Sequence, residues 1–577
     1  MDGASSETGR GAVPPSAPWL SAEHFCILDT DFNDGADFVR LRRLWEASPG
    51  TCISLHYIAL CAAPKSSPPP ELQALWPLPL PGHHELELNA GALRLTVIFR
   101  ESPAALRRLK AVCDLILLKE PTLQTAALAR LSRFGTAVQS TFQDTETNRA
   151  LEASGFRLEP AATHIEGTYR VRSKRAKGWV PFSGERHAIV LGAGLAGSAA
   201  AASLSRRGWR VSVIEKRAAP ALAASGNLTS VISPMLSKDD GVAARLSRAS
   251  FLTLLQELHR ISAGPSSLKW APCGVLQMAR SPKEELLLAE TILSLAYPAA
   301  FARFLTREEA CRHVEQEVPA GGVLFPQGGW VNPPSLCLAR MQSAPILLQT
   351  GVSVSKLERK DGSWRVFDDS GRPLAEAPVL VLANAFESTR FAQAEHLHFK
   401  KVRGQVTHVP ASHLPPLGCV LSRDGYLTPP LEGHYSLGAT YDFGSEEESL
   451  TVECQNVNLA RMPLLLEGTS VALDSLLGRV GFRTLTPDRL PVVGAMPDFE
   501  AQPAPPGALG TLPRQAGLFT LLGLGSRGVV WSALAGETLA ALIEGEAPPL
   551  PSDLLEAMDP ARFLARKRGL EAPRIPL

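Results

Sequence analysis

The stretch His187-Ala-Ile-Val-Leu-Gly-Ala-Gly-Leu-Ala-Gly-Ser198 decides the fold. An apolar, strand-forming run enters Gly192, Gly194 and Gly197, and small helix formers follow. The first glycine suits a tight turn, the second lets backbone approach a pyrophosphate, and the third lets the helix pack closely on its strand. The helix then begins with free N–H groups and a dipole end favourable to anions. Beyond Gly208, the segment Trp209 to Ile214 predicts a second strand ending at Glu215, a carboxylate at the spacing that meets a ribose hydroxyl. Strand, glycine turn, helix, second strand and terminal acid together predict a dinucleotide-binding unit. The other reading, a membrane span over 188–204, is too short and too rich in glycine and serine.

Composition bounds the rest. A chain of 577 residues with 45% hydrophobic content has room for two to four globular domains. Its net charge of +1 selects neither for nucleic acid nor for membrane, so any polyanion must be met by local patches. The opening, Met1 to Pro18, is rich in Gly, Ser and Pro and shows no secretory signal pattern. Nine cysteines lie scattered without a CxxC pair. That pattern suits reduced thiols in a cytoplasm, with neither a disulfide framework nor a metal site.

Four segments follow from this: 1–20 as a disordered tail, 21–171 as a first α/β domain, 172–186 as a basic linker, and 187–577 as the dinucleotide-binding domain. In the first domain, strands are expected at Phe25 to Leu28, Ile53 to Leu60, Leu93 to Phe99 and Cys113 to Leu118, with a helix from Phe38 to Trp45 and a loop from Pro64 to Pro70. The linker carries Arg172, Lys174, Arg175 and Lys177. Late in the chain, Leu518-Phe-Thr-Leu-Leu-Gly-Leu-Gly-Ser-Arg-Gly528 is again a strand entering a glycine loop, with a helix-compatible run through Ile543. A second helix N-terminus can stabilise negative charge on a flavin ring, which a nicotinamide enzyme does not require, so the pair of loops favours FAD over NAD.

Several motifs carry a resemblance: Phe325-Pro-Gln-Gly-Gly-Trp-Val-Asn-Pro-Pro334, Val402-Arg-Gly-Gln-Val-Thr-His408, Gly425-Tyr-Leu-Thr-Pro429, Leu437-Gly-Ala-Thr-Tyr-Asp-Phe443, Gly478-Arg-Val-Gly-Phe-Arg-Thr-Leu-Thr-Pro-Asp-Arg-Leu-Pro491 and Asp559-Pro-Ala-Arg-Phe563. They resemble the bacterial bifunctional tRNA wobble-uridine modification proteins. The implied fold is α/β: an N-terminal methyltransferase-like Rossmann domain, then a glycine oxidase-like FAD domain of the D-amino-acid oxidase family with an inserted substrate subdomain. The implied reaction is oxidative removal of the carboxymethyl group from 5-carboxymethylaminomethyl-uridine, followed by methylation of the aminomethyl product with S-adenosylmethionine. By the same resemblance, Arg483 is the carboxylate clamp and Tyr426 its hydroxyl partner. The cofactor would touch Gly192, Gly194, Gly197, Glu215, Ser225, Gly226, Asn227, Gly523, Gly525, Ser526, Arg527 and Gly528.

The first domain departs from the family where its chemistry lies. The family's glycine-rich loop stands here as Asp29-Thr-Asp-Phe-Asn-Asp-Gly35, with Asp31 and Asn33 in place of two glycines. Side chains there block backbone approach, and the added carboxylates oppose the cofactor's own. Where the family has an aspartate-bearing catalytic loop, this chain reads Leu117-Leu-Lys-Glu-Pro121. The expectation is a methyltransferase-like fold with weak or no methyl transfer, the opposing reading being that Glu120 substitutes and Gly35 suffices. Basic groups at 170–177, 400–403 and 562–568 are candidate phosphate contacts. Two rival functions stay open: oxidation of free glycine, sarcosine or a D-amino acid, and a non-catalytic RNA-binding scaffold.

Overall fold

The computed structural model describes residues 18–567 apart from 21, 49, 51, 62–67, 101, 123, 173–181, 344, 462–475 and 502–508. Most of the expected tail, most of the 64–70 loop, and Lys174, Arg175 and Lys177 of the expected linker lie outside the described residues. The chain forms two compact units: one runs to Phe182 and includes Ala541–Asp553, the other takes Ser183–Ala540 and the residues from Leu554.

The first unit is built on β1 (His24–Asp29), β2 (Ser54–Cys61), β3 (Gly82–Leu88), β4 (Leu93–Phe99), β5 (Cys113–Leu118), β6 (Ser132–Ser140), β7 (Phe156–Leu158) and β8 (Glu166–Tyr169). They form one sheet in the order β3-β4-β2-β1-β5-β6-β8-β7. The five central strands are parallel, with antiparallel β3 at one edge and the β7/β8 hairpin at the other. The chain winds outward from β1 through β2 and β4, then returns to β5 and β6, so the order reverses between β1 and β5. That reversal is where a doubly wound sheet opens a ligand crevice. β4 is buried along its whole length, and β2 and β5 nearly so, which explains why apolar residues dominate them and why their polar residues Arg94 and His56 are paired inside, with Glu546 and Thr96. The segment 541–553 completes this unit: Ala547 joins its core, and Glu546 accepts a 2.7 Å bond from buried Arg94.

In the second unit, β9 (His187–Leu191) and β10 (Arg210–Ile214) pair in parallel. They belong to a six-stranded sheet ordered Ile346–Gln349, β10, β9, Val379–Leu382, Arg514–Leu522, Val492–Pro497. The intervening sequence supplies a nine-stranded sheet in which the long strand Lys400–Pro410 pairs with His434–Gly438, Asp442–Phe443 and Leu477–Leu485. Residues 188–204 fall on β9 and the helix Leu195–Ser205. Among the described residues no helix is long and apolar enough to cross a membrane.

Candidate active site

The glycine turn after β9 is built around close contacts. Gly192 has φ 99°, a left-handed value that glycine adopts freely, and a Cβ there would lie 2.8 Å from the Ala383 carbonyl oxygen. A Cβ on Gly197 would lie 1.8 Å from the Gly192 carbonyl oxygen, so the helix Leu195–Ser205 reaches its strand only because that atom is missing. Gly194 caps this helix, and Ser225 Oγ, from a distant loop, accepts the Leu195 N–H at 3.1 Å. Glu215 sits just past β10 and accepts N–H bonds from Ala193 at 2.7 Å and Arg217 at 2.8 Å, which brings its carboxylate to the glycine turn. This is a cradle that a Cβ would fill, closed by an acid at the ribose position, and it fits FAD.

The loop 222–226, which carries Ser225 and Gly226, is held by a residue the sequence reading passed over. Arg479 Nη2 donates to the carbonyls of Leu222 at 2.9 Å and Ala223 at 2.6 Å, and a Cβ on Gly226 would strike it at 2.3 Å. Asn227 follows, half-buried. At the late loop, Gly523 (φ 67°) and Gly525 (φ 56°) turn the strand Arg514–Leu522 through the short helix Gly525–Arg527 into the helix Gly528–Glu544. Ser526 is exposed, while Arg527 donates to the Ser233 carbonyl at 3.3 Å. Burial holds the Arg527 guanidinium below the ordinary arginine pKa, leaving a poorly solvated cation beside the loop.

Arg483, Tyr426 and Arg479 share one face of the nine-stranded sheet. Tyr426 pairs with Gly438, Gly438 with Val406, and Val406 with Arg479; two and four residues along that strand come Gly481, opposite Gly404, and Arg483, opposite Val402. A Cβ on Gly404 would lie 2.2 Å from Arg483 Nη1 and 2.5 Å from Cζ, so this glycine is the floor on which the guanidinium rests. Nη1 donates to the Thr440 carbonyl at 3.0 Å, and the guanidinium lies 5.3 Å from the Tyr441 ring centroid. Burial lowers the Arg483 pKa, against the pull of Tyr426, Tyr441 and Asp442, and Arg461 adds a second nearby positive charge. Burial lifts the Tyr426 phenol to about 12, so it is a hydroxyl donor at neutral pH. Arg461 is itself fixed by the Ala439 carbonyl at 2.6 Å. The arrangement can grip a carboxylate above a glycine-cleared surface.

The crevice of the first unit is different. Across the β1/β5 reversal, Thr30 N donates to the Leu117 carbonyl at 3.0 Å, Lys119 N to Thr30 Oγ1 at 3.0 Å, and Phe32 N to the Leu60 carbonyl at 2.8 Å. The buried Phe32 ring stacks on Trp76 at 5.4 Å. Gly35 is hemmed in, with Pro69 Cγ 2.6 Å and Phe32 Cζ 2.7 Å from where a Cβ would be, and Asn33 takes a left-handed φ of 48°. Lys119, just past β5, turns its ammonium onto Asp37 and lies 3.9 Å from Asp29. Tyr57 donates to Asp29 at 2.5 Å, and burial lifts the Asp29 carboxyl to about 7 despite both partners. Glu120 is exposed. From Leu60 to Pro70, after β2, no carboxylate is available for a ribose.

Two expected phosphate contacts are corrected. Arg403 is 1% exposed and spends its guanidinium on Asp442, Gln405 and the carbonyls of Glu447 and Ser449. Arg562 is likewise buried and grips both oxygens of Asp488. Each answers the interior rather than solvent. Arg170 and Arg172 stay exposed, flanking the Phe134 ring at 5.9 and 5.1 Å, and Lys400 is exposed. Arg568 lies outside the described residues.

The chain is similar to several known proteins. The FAD dependent oxidoreductase family matches residues 187–542. A tRNA 5-methylaminomethyl-2-thiouridine biosynthesis bifunctional protein from Aromatoleum aromaticum is 38% identical over 589 residues, spanning 96% of this chain and 92% of that protein. Among solved structures, iminodiacetate oxidase from Chelativorans sp. BNC1 aligns with TM-score 0.51 and 24% identity over 65% of this chain and 98% of that one. Glycine oxidase from Geobacillus kaustophilus aligns with TM-score 0.50 and 23% identity over 62% of this chain and 95% of that one. These two likenesses speak to the fold.

Proposed function

Because the chain belongs to the family of bifunctional tRNA 5-methylaminomethyl-2-thiouridine biosynthesis proteins, we propose that it acts on the wobble uridine of tRNA as an FAD-dependent oxidoreductase of a CH–NH group. The substrate is 5-carboxymethylaminomethyl-(2-thio)uridine, and the product of this half is 5-aminomethyl-uridine. The observation that carries the reading is the Arg483 guanidinium lying over Gly404 on the sheet face it shares with Tyr426.

FAD would be held by Gly192, Gly194, Gly197 and Glu215, by the Ser225–Asn227 loop, and by the loop from Gly523 to Gly528. When bound, it accepts the two electrons taken from the carbon between nitrogen and carboxylate. Arg483 orients that carbon by gripping the carboxylate with parallel N–H bonds, and the Tyr426 hydroxyl donates to the same group. Positioning of this kind supplies a large part of the rate without a strong base. Water then adds to the oxidised C=N bond, the C–N bond breaks, and glyoxylate leaves. The reading puts the protein in the cytoplasm, where tRNA is its partner.

Methyl transfer is weak or lost. Lys119 sets its cation in the crevice against Asp37 and 3.9 Å from Asp29, and the Phe32 N–H, bonded to the Leu60 carbonyl, draws the loop after β1 onto β2. A sulfonium cofactor would meet that ammonium at the position it needs. Nucleoside mass spectrometry of carboxymethylaminomethyl-containing tRNA, incubated with the protein, FAD and S-adenosylmethionine, tests both halves. Aminomethyl-uridine alone is the expected product. Methylaminomethyl-uridine would overturn the argument about the crevice, and unchanged tRNA with turnover of sarcosine would make the protein a free amino-acid oxidase.

A further inference from the structure

The clamp continues into an aromatic corner that carboxylate binding does not use. Tyr441 follows Thr440, whose carbonyl holds Arg483, and its ring lies 5.3 Å from the guanidinium. Phe443 pairs with Val402, which on its other side pairs with Arg483, so the three side chains form one row across the sheet. The two rings meet edge to face, with centroids 5.3 Å apart and planes at 67°. Both are open to solvent, Tyr441 by 37% and Phe443 by 60%. Two large rings left exposed beside a buried guanidinium are a surface awaiting an apolar, flat partner.

We infer that Tyr441 and Phe443 receive the pyrimidine ring of the substrate nucleotide and so set specificity for a base-bearing amine over a free amino acid. The inference rests on the tRNA reading above and names the residues that would enforce it. In the substrate, four bonds separate the carboxylate carbon from C5 of the uracil, roughly 5 Å when extended. A carboxylate held by Arg483 therefore leaves the base within reach of Tyr441, whose ring lies 5.3 Å from the same guanidinium, with Phe443 the next ring outward. Single-stranded RNA is recognised in this way, by unstacked bases laid against aromatic side chains. The charges beside the rings are paired within the protein: Arg403 engages Asp442 between them, and Lys401 lies 3.7 Å from Glu446. What the corner leaves open is therefore its apolar ring surface.

The test compares two substrates on the flavin-loaded enzyme: tRNA carrying carboxymethylaminomethyl-uridine, and sarcosine, which keeps the amine and the acetate but has no base. Sarcosine oxidation is read as anaerobic bleaching of the flavin, which registers even slow turnover. Tyr441→Ala and Phe443→Ala should each lose roughly 5- to 150-fold in kcat/KM on tRNA, carried mainly by KM, as truncation of a base-stacking ring does. Sarcosine rates should stay within about twofold in Phe443→Ala, whose ring does not touch the guanidinium, and Tyr441→Phe, which keeps the ring against Arg483, should recover the tRNA rate. Equal losses on both substrates would mean that Tyr441 only braces Arg483, and unchanged tRNA kinetics would mean that the base lies elsewhere; either overturns the inference. A wild-type enzyme inert on tRNA would instead overturn the functional reading beneath it.

Discussion

Gly404→Ala is the sharpest perturbation of the clamp, because it adds one methyl group where the structure has no room for it and leaves every named functional group in place. The new Cβ would lie 2.2 Å from Arg483 Nη1 and 2.5 Å from both Cζ and Nη2. Ordinary contact begins near 3.4 Å, so the guanidinium must retreat by about 1 Å. The backbone at Gly404 is a regular strand residue without a left-handed φ, so alanine costs nothing there conformationally. The atoms struck belong to the far end of a long side chain, so the clamp should move while the sheet stays. A misplacement of about 1 Å in a positioning group is worth on the order of 100-fold in rate. We therefore expect kcat/KM for oxidation of modified tRNA to fall about 100-fold, with flavin content and melting temperature close to wild type. Rapid-quench sampling of glyoxylate release, with the flavin absorbance ratio measured on the same preparation, supplies both readouts. Activity within about threefold of wild type in a fully flavinated Gly404→Ala protein would refute the assignment of Arg483 as the clamp.

Gly197→Ala should abolish flavin retention, because its Cβ would lie 1.8 Å from a backbone carbonyl that cannot swing away; a colourless but folded protein is the expected result, read from the absorbance ratio and circular dichroism. Calorimetric titration with S-adenosylmethionine should register no binding to the wild-type chain, and a dissociation constant in the micromolar range would sink the closed-crevice argument. Asp29 holds its proton up to about pH 7 when folded, against about 4 when unfolded, so the stability it contributes is full below the lower value and is lost as pH rises through the upper one. Asp29→Asn should flatten that decline, worth at most about 4 kcal/mol, in denaturant titrations between these two pH values. Glu546→Ala removes the 2.7 Å partner of buried Arg94 and should cost about 3 kcal/mol in the same assay, with Glu85 and Glu87 still nearby to limit the loss.

What could be read from the sequence follows the range of the forces involved. The βαβ unit at His187–Ile214 is local: the turn, the helix start and the acid lie within thirty residues, and each glycine announces its own backbone demand. The strands Leu93–Phe99 and Cys113–Leu118 were equally plain, being buried on both faces. By contrast Gly82–Leu88 alternates histidine, glutamate and leucine at a sheet edge, and Ser132–Ser140 carries Gly135 at φ 93°, so neither presents a continuous apolar run. The clamp's surroundings were out of reach for a different reason. Gly404 and Arg483 are brought together by cross-strand register over some eighty residues, Tyr441 by its ring against the guanidinium and Arg461 by its bond to the Ala439 carbonyl, and nothing local in Val402-Arg-Gly or Ala439-Thr-Tyr says that they meet. Arg403 and Arg562 read as surface cations because the sequence does not display Asp442 or Asp488 beside them.

The first unit is held by contacts that owe nothing to a bound cofactor. Its core draws on residues from the far end of the chain: Ala547 packs among its buried side chains, Glu546 neutralises Arg94 and Asp553 pairs with Arg108. A loss of methyl transfer removes no constraint on those contacts, whereas a loss of the fold would strand a buried guanidinium and uncover an apolar stretch that follows the helix Gly528–Glu544. On the proposed reading of weak methyl transfer, Asp31 and Asn33 in the Asp29–Gly35 loop and Lys119 after β5 answer only to local electrostatics. Lys119 meets the Asp37 carboxylate and lies 3.9 Å from Asp29, and we propose that its ammonium takes the space a sulfonium would need.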